Sequence, residues 1–233
     1  MRKLFASLVL VMFGVTAYAG DDKPLVVVEL YTSEGCSSCP AADKILTKLA
    51  TRDGILALAL HVDYWDYLGW KDQFSIAKFT KRQEYYNMVL GSRYRLVTPQ
   101  MIFQGQSYVA GARPSKVEKQ LAALQGKADI VQLSVEKQTD NYQISINSRG
   151  SSTPGADVFI VEYIPNYVAK IEAGENRGKT LTHTNIVTSW TRIGGWSGQK
   201  NWSAVHPIDA KIHAAVIVQA LEGGPILAAR MLQ

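Results

Sequence analysis

The sequence contains only two cysteines and no extended block of lysines and arginines. Without such a block, nucleic acid is a poor candidate ligand, although the formal net charge is +5. Charged residues are sparse at 19%, against 47% hydrophobic residues, and this balance excludes an intrinsically disordered chain. No internal repeat is evident. We therefore expect a globular protein with a substantial packed core.

Long apolar runs are also missing, apart from one near the N-terminus. Residues 1–3 are charged, residues 4–15 are apolar, and residues 17–19 match the small-x-small pattern of a cleavage site. The run is too short for a membrane anchor, which needs about 20 apolar residues. We expect residues 1–19 to be a signal peptide, no membrane insertion after cleavage, and a periplasmic or secreted bacterial protein in an oxidising compartment.

The part of the mature chain from residue 24 to residue 126 alternates between strand-like and helix-like patterns. Residues 25–30 and 55–62 are continuous apolar runs, as expected for strands buried on both faces. Apolar residues recur at helical spacing elsewhere. The predicted order is strand, helix, strand, helix, strand, strand, helix, at 25–30, 41–49, 55–62, 71–90, 101–103, 107–110 and 115–124.

The helical period disappears from residue 129 onward. Apolar and polar residues alternate there with a period of two, and residues 149–155 and 174–178 supply turns. The predicted strands are 131–135, 142–146, 156–164, 167–172, 180–191, 214–221 and 226–231. Residues 127–233 are therefore predicted to form a β-rich domain, an antiparallel sandwich or barrel.

The two cysteines, Cys36 and Cys39, lie between the first strand and the first helix. A bridge between residues this close stabilises a fold little, because loop-closure stabilisation falls with loop length. A helix start favours the thiolate of Cys36, which is the nucleophile in disulfide exchange, and Cys39 can then resolve the mixed disulfide. We expect Cys36 to be accessible and Cys39 to be shielded. A structural bridge and a metal site remain alternatives, although zinc needs two further ligands.

These features resemble the thioredoxin superfamily: a CxxC pair at a strand-to-helix junction, the order of elements, and Thr98-Pro99 before the third core strand. The segments ELYTSEGCSSCPAAD, HVDYWDYLGWKD and VTPQM also resemble an exported bacterial thioredoxin-like family that lacks an assigned substrate. The resemblance implies a thioredoxin-like domain at residues 24–126. It also implies a cis-proline at Pro99, with the main chain of Thr98 facing the cysteines, and no cofactor or resident metal.

Three further residues are placed through this resemblance and through topology. Thioredoxin uses a buried Asp on its first core strand for proton transfer, and Glu29 is the nearest candidate. Its offset to Cys36 is one residue longer, which can turn it to the other face of the sheet; the alternative is a carboxylate in solvent. Parallel strands end at one edge of a sheet, which places His61 and Trp65 near the cysteines. His61 is interpreted as a structural histidine.

Trp65 belongs to an aromatic loop, residues 65–70, that either presents a platform to a peptide or covers the core. The leading function is an exported thiol-disulfide oxidoreductase, with exported proteins or small thiols as substrates and an unknown electron partner. One alternative is a copper- or metal-handling protein that uses the same cysteines and Met101, since soft sulfur ligands suit Cu(I). The other is a binding module that keeps the fold without catalysis.

Overall fold

The computed structural model describes residues 23–127, 129–139, 141–150 and 153–232. The predicted signal peptide, residues 1–19, lies outside these ranges. Of the helices within them, none is both long and apolar enough to cross a membrane.

The first half of the described chain contains the predicted elements in the predicted order. They are β1 (Val26–Thr32), α1 (Cys39–Ala50), β2 (Ile55–His61), α2 (Ala77–Val89), β3 (Gln100–Phe103), β4 (Ser107–Ala110) and α3 (Pro114–Leu124). Helix α2 begins at Ala77, not at residue 71. Asp72 accounts for the delay, because its side chain and carbonyl accept backbone hydrogen bonds from Phe74 and Ser75, which form a turn instead of a helix.

The second half consists of strands. They are β5 (Val131–Lys137), β6 (Asn141–Ser148), β7 (Ala156–Lys170), β8 (Thr180–Trp196), β9 (Trp202–Pro207), β10 (His213–Ala220) and β11 (Ile226–Leu232). The two strands predicted at 156–164 and 167–172 form the single long strand β7. Strand β9 was not predicted, because its sequence does not alternate cleanly between apolar and polar residues. Its half-buried positions include His206, whereas the apolar Val205 lies on the exposed side.

One sheet of eight strands runs through both halves, in the order β11-β10-β7-β8-β2-β1-β3-β4. Strand β2 pairs in parallel with β1 on one side and with β8 on the other, where Ala59 lies opposite Ile186. A second sheet, β5-β6-β9, packs its apolar face against β7, β10 and β11. The described strands therefore make a layered arrangement and no closed barrel. The division into two domains at residue 127 stays a prediction.

The overall class is thus a thioredoxin-like α/β unit followed by an antiparallel β region, as predicted. Strand β1 is buried along its whole length, so its side chains alternate between two cores. Val28 and Leu30 pack with α1 and α3, whereas Val27 and Tyr31 pack with α2 and the long strands. This alternation decides which side chains of β1 lie on the same side of the sheet as the cysteine-bearing helix.

Candidate redox site

Cys36 and Cys39 form a disulfide in the segment between β1 and α1, with their Cα atoms 5.4 Å apart. Helix α1 begins at Cys39, with Ser38 as its N-cap and Pro40 in its first turn, where a missing N–H costs no hydrogen bond. Both cysteines are fully buried, while Ser37 and Ser38 between them are exposed. In the disulfide form Cys36 is thus as buried as Cys39 and lies three residues before the helix begins, and the accessibility of Cys36 in the reduced protein stays a prediction.

Trp65 lies against the turn before Cys36 and contacts Thr98, whereas the placement of Thr98 and Pro99 against the cysteines stays a prediction. The indole Nε1 of Trp65 donates a 2.8 Å hydrogen bond to Thr98 Oγ1, and the Thr98–Pro99 peptide bond is cis. A Cβ atom added to Gly35 would lie 3.0 Å from Trp65 Cβ, so the indole residue packs directly on the turn that precedes Cys36. Glycine at position 35 permits this close approach.

The rest of the aromatic loop mainly covers the interior. Trp65 packs against the core on the α2 side of the sheet, and Trp70 packs against Ile171, which directly follows β7, and against Leu181 of β8. Tyr67 is the exception, with 81% of its surface exposed. The loop therefore acts largely as a cover, with one aromatic side chain left in solvent.

Glu29 lies on the opposite face of β1 from helix α1, and it is buried. Arg82 of α2 donates to both of its carboxylate oxygens at 2.7 and 2.9 Å, and Tyr31 and Tyr86 donate to them at 2.9 and 2.8 Å. The interpretation of Glu29 as a solvent carboxylate was wrong. Burial alone would lower the pKa of Arg82, but the charge and hydrogen bond of Glu29, together with Tyr86 and Tyr31, outweigh it and raise that pKa. Glu29 is thus the centre of a satisfied ion-pair network on the α2 side.

A different group of ionisable side chains lies next to the cysteine segment. This buried histidine–carboxylate cluster consists of Glu34, Asp43, His61, Asp72 and His183. It draws residues from the β1–α1 turn, α1, β2, the loop after β2, and β8. His61 and His183 are 4.9 Å apart between ring centroids, in an edge-to-face arrangement. Short sequence spacing could not reveal this pair, because the two histidines meet only when β8 joins β2.

Hydrogen bonds connect the cluster to the backbone that leads into Cys36. His61 Nδ1 lies 2.7 Å from Asp72 Oδ2, and the same oxygen accepts the backbone N–H of Glu34 at 2.9 Å. Trp70 Nε1 donates to Glu34 Oε2 at 2.7 Å, while Glu34 Oε1 lies 3.4 Å from His183 Nε2. Asp43, one helical turn after Cys39, accepts from Thr32 Oγ1 at 3.0 Å.

Burial and charge act on these groups in opposite directions. Burial by itself lowers the pKa of His61, but the charge and hydrogen bond of Asp72, together with the charges of Asp43 and Glu34, outweigh it and raise that pKa. Burial by itself raises the pKa of Asp72, but the charge and hydrogen bond of His61, together with the backbone hydrogen bonds from Glu34 and Phe74, outweigh it and lower that pKa. For Asp43 burial dominates, and its pKa is raised despite His183 and His61 nearby. The contact between His61 and Asp72 therefore favours the charged form of each group, while burial disfavours the charged form of Asp43.

Four buried polar atoms of this cluster make no hydrogen bond within the described part of the chain: Glu34 Oε1, His61 Nε2, and both ring nitrogens of His183. The residues described contain no group of three or more His, Cys, Asp or Glu side chains arranged to hold a metal ion.

The connection between β7 and β8, residues 171–179, covers the cysteine segment, and we call it the hairpin tip. Asn176 is fully buried, and its side-chain Nδ2 donates to the carbonyl oxygens of Glu34 at 2.8 Å and Cys36 at 2.9 Å. The backbone N–H of Ser37 donates to Glu175 Oε2 at 3.1 Å, and these Ser37 contacts hold the pKa of Glu175 below its ordinary value. The sequence predicted a turn at these residues, but it did not predict that the turn contacts the cysteine segment.

Comparisons with known proteins agree with this architecture. A crystal structure of a protein from Agrobacterium tumefaciens superposes with a TM-score of 0.76 and 29% sequence identity, and the match covers 91% of this chain and 96% of that one. A protein named "Probable Thioredoxin" from Archaeoglobus fulgidus is 41% identical over 39 residues, which are 17% of this chain. The aligned segment spans only 43% of that relative's length.

The family comparison extends over most of the molecule. The model described as "Protein of unknown function (DUF1223)" matches residues 27–219, which include every strand from β2 to β9 and both cysteines. The chain therefore belongs to the DUF1223 family.

Proposed function

We propose that this protein is an exported thiol-disulfide oxidoreductase that uses Cys36 and Cys39 on a protein or small-thiol substrate. The observation that carries the proposal is the disulfide itself, placed at the junction of β1 and α1, with a cis-proline at Pro99 directly before β3, the strand that pairs with β1. Such a short bridge contributes little to stability, so chemistry is the better reason for its presence. The short similarity to a probable thioredoxin supports the same reading.

The exchange runs through two substitutions at sulfur. In the reduced protein, the Cys36 thiolate attacks one sulfur of the substrate disulfide, and the other substrate sulfur leaves as a thiolate. The Cys39 thiolate then attacks Cys36 Sγ, which releases the second substrate thiolate and forms the Cys36–Cys39 bond. Two electrons pass to the substrate, and the two protons of the cysteines end on its sulfurs. The reverse sequence oxidises a dithiol substrate.

The export part of the proposal depends on residues 1–19. A charged start, a short apolar run and a small-x-small end favour a cleaved signal. The periplasm or the exterior of a bacterium would supply an oxidising environment, in which a disulfide persists. An electron partner in that compartment would restore the pair to its starting oxidation state after each turnover.

The test is reduction of insulin disulfides by dithiothreitol with the chain from residue 20 onward. We expect catalysis by the natural sequence, none by Cys36→Ser, and a trapped mixed disulfide with Cys39→Ser. Lys44→Ala, on the exposed side of α1, is the matched control and should behave as the natural sequence. Absence of catalysis by the natural sequence contradicts the proposal, and Cu(I) titration of the reduced protein then tests the metal-handling alternative.

The reduction potential gives an independent measurement. Exchange-active pairs in this fold range from about −270 to −120 mV, whereas structural disulfides in secreted proteins fall below about −300 mV. We expect the Cys36–Cys39 pair to equilibrate with glutathione buffers inside the first range. A potential below it would identify a structural bridge.

A further inference from the structure

The sulfur atoms of the proposed site are closed off from solvent. Thiol-disulfide exchange requires a partner sulfur to approach the attacked sulfur directly. Cys36 and Cys39 have no exposed surface, although the two serines between them are exposed. The disulfide therefore cannot react with a partner until a segment that covers the two sulfur atoms moves away.

The cover over the cysteine turn on the β8 side is the hairpin tip. Its Asn176 bridges two carbonyl groups of the cysteine segment with one amide, and its Glu175 accepts from Ser37. A Cβ atom on Gly174 would lie 3.2 Å from Trp70 Cβ, so the tip also rests on the aromatic loop. Residues 140 positions apart in the sequence are thereby held together beside Cys36.

The tip is closed at its base by its own backbone, independently of its contacts with the cysteine segment. Its base is closed by hydrogen bonds from Ile171 to Lys179 and from Gly178 to Ile171, and Ile171 is buried among apolar side chains. Beyond that base, most tip residues are exposed or half-buried, and Asn176 is the one that is fully buried. Segments with few buried apolar contacts open locally at low cost while the sheet beneath stays intact.

We propose that the hairpin tip is a gate over the Cys36–Cys39 pair and that Asn176 is the residue that holds it closed. Opening releases the carbonyl groups of Glu34 and Cys36 and the N–H of Ser37, and it uncovers Cys36 Sγ. The pair then exchanges only with partners that displace the tip. The role of the gate in admitting a substrate rests on the proposed function. Its effect on the reactivity of the Cys36–Cys39 disulfide can be measured whether or not the protein is an oxidoreductase.

The experiment follows reduction of the oxidised protein by dithiothreitol, with samples quenched by an alkylating agent and weighed by mass spectrometry. Dithiothreitol gives two electrons and two protons to the pair and leaves as its cyclic disulfide. Asn176→Ala should react at least tenfold faster than the natural sequence at low reductant concentration. Arg177→Ala, an exposed neighbour on the same tip, should stay within twofold. A rate for Asn176→Ala within twofold of the natural sequence would overturn the gate.

A second pair of variants separates gating from general loss of stability. Glu29→Gln weakens the ion-pair network on the far side of β1 and should leave the reduction rate within twofold under conditions where it stays folded. If it accelerates reduction as much as Asn176→Ala does, exposure occurs by global unfolding and the gate is wrong. Should Asn176→Ala fail to fold, Glu175→Ala replaces it, with an expected acceleration of about threefold; an unchanged rate contradicts the gate.

Failure of the gate and failure of the proposed function are distinguishable. Faster reduction of Asn176→Ala without any insulin reduction would keep the gate and reject the oxidoreductase. If the natural sequence reduces insulin, but Asn176→Ala reacts with dithiothreitol no faster than the natural sequence, the oxidoreductase is kept and the gate is rejected.

Discussion

The hydroxyl of Thr47 on α1 lies 2.9 Å from the hydroxyl of Thr184 on β8. This contact joins the helix that carries Cys39 to a strand of the second half. His183, the neighbour of Thr184, belongs to the histidine–carboxylate cluster, and Asn176 lies in the tip before the same strand. The β-rich half therefore builds part of the cysteine surroundings itself.

Glu29→Gln should lower the free energy of unfolding by about 3 kcal/mol, because it leaves the Arg82 guanidinium without its carboxylate in a buried position. Urea unfolding at neutral pH measures the change. Glu118→Gln, at the exposed ion pair with Arg52, is the matched control and should change it by less than about 1 kcal/mol. Equal effects at the two sites would contradict the assignment of Glu29 to a structural network.

The His61–Asp72 pair should stabilise the fold most between pH 3.8 and pH 6.5, the ordinary pKa values of the two groups. The folded pKa of His61 is raised, so its contribution is lost as the pH rises through that higher value. The folded pKa of Asp72 is lowered, so its contribution is lost as the pH falls through that lower value. The measurement compares urea unfolding of the natural sequence and Asp72→Asn at pH values below, within and above this range, and the difference between the two proteins should be largest within it. If the difference in unfolding free energy between the two proteins does not depend on pH, the prediction is contradicted. Glu34 and Asp43 also act on the pKa of His61, but they are present in both proteins.

Asp43→Asn should increase stability at pH 7. Burial raises the pKa of Asp43, so ionisation above its ordinary value of 3.8 costs folding free energy. Asparagine keeps an acceptor for Thr32 Oγ1 and removes the charge. The gain in unfolding free energy should disappear near pH 3, where the carboxyl group is protonated in the folded and unfolded states alike. Asp53→Asn, at an exposed position, should show no gain at either pH.

Trp65→Phe should cost about 1 kcal/mol or more, because it removes the hydrogen bond to Thr98 Oγ1 and part of the packing on Gly35. Thermal unfolding measures this loss. Tyr67→Ala, in the same loop but 81% exposed, should stay within about 0.5 kcal/mol of the natural sequence. If both variants behave alike, the indole does not anchor the loop.

Local patterns explain what the sequence could predict. The apolar runs of β1 and β2, the helical spacing of α1, and the Cys36, Thr98 and Pro99 motif positions are read within short windows. Asn176 and His183 reach the cysteine segment only through the pairing of β8 with β2, and no short window contains that information. The alternation of apolar and polar residues predicted most strands of the second half. It could not predict that four of them, β7, β8, β10 and β11, extend the sheet of the first half.

The position of Glu29 shows a different limit. The one-residue shift relative to Cys36 correctly raised the alternative of the other face, because side chains alternate along a strand. Its partner, Arg82, lies 53 residues away on helix α2. The sequence of this helix is largely polar and has no clear apolar stripe, so it does not predict which face is buried. A polar helix face that turns inward to meet a buried carboxylate has no sequence signature of its own.

Strand β2 borders both halves of the protein, because it pairs with β1 on one edge and with β8 on the other. Asn185 also donates to the carbonyl of Ala57 across 128 positions, so the second edge is closed by residues far along the chain. An unpaired strand edge is a template that other strands can join. A chain cut before β8 therefore keeps both cysteines but leaves that edge of β2 open, and it should be prone to aggregate.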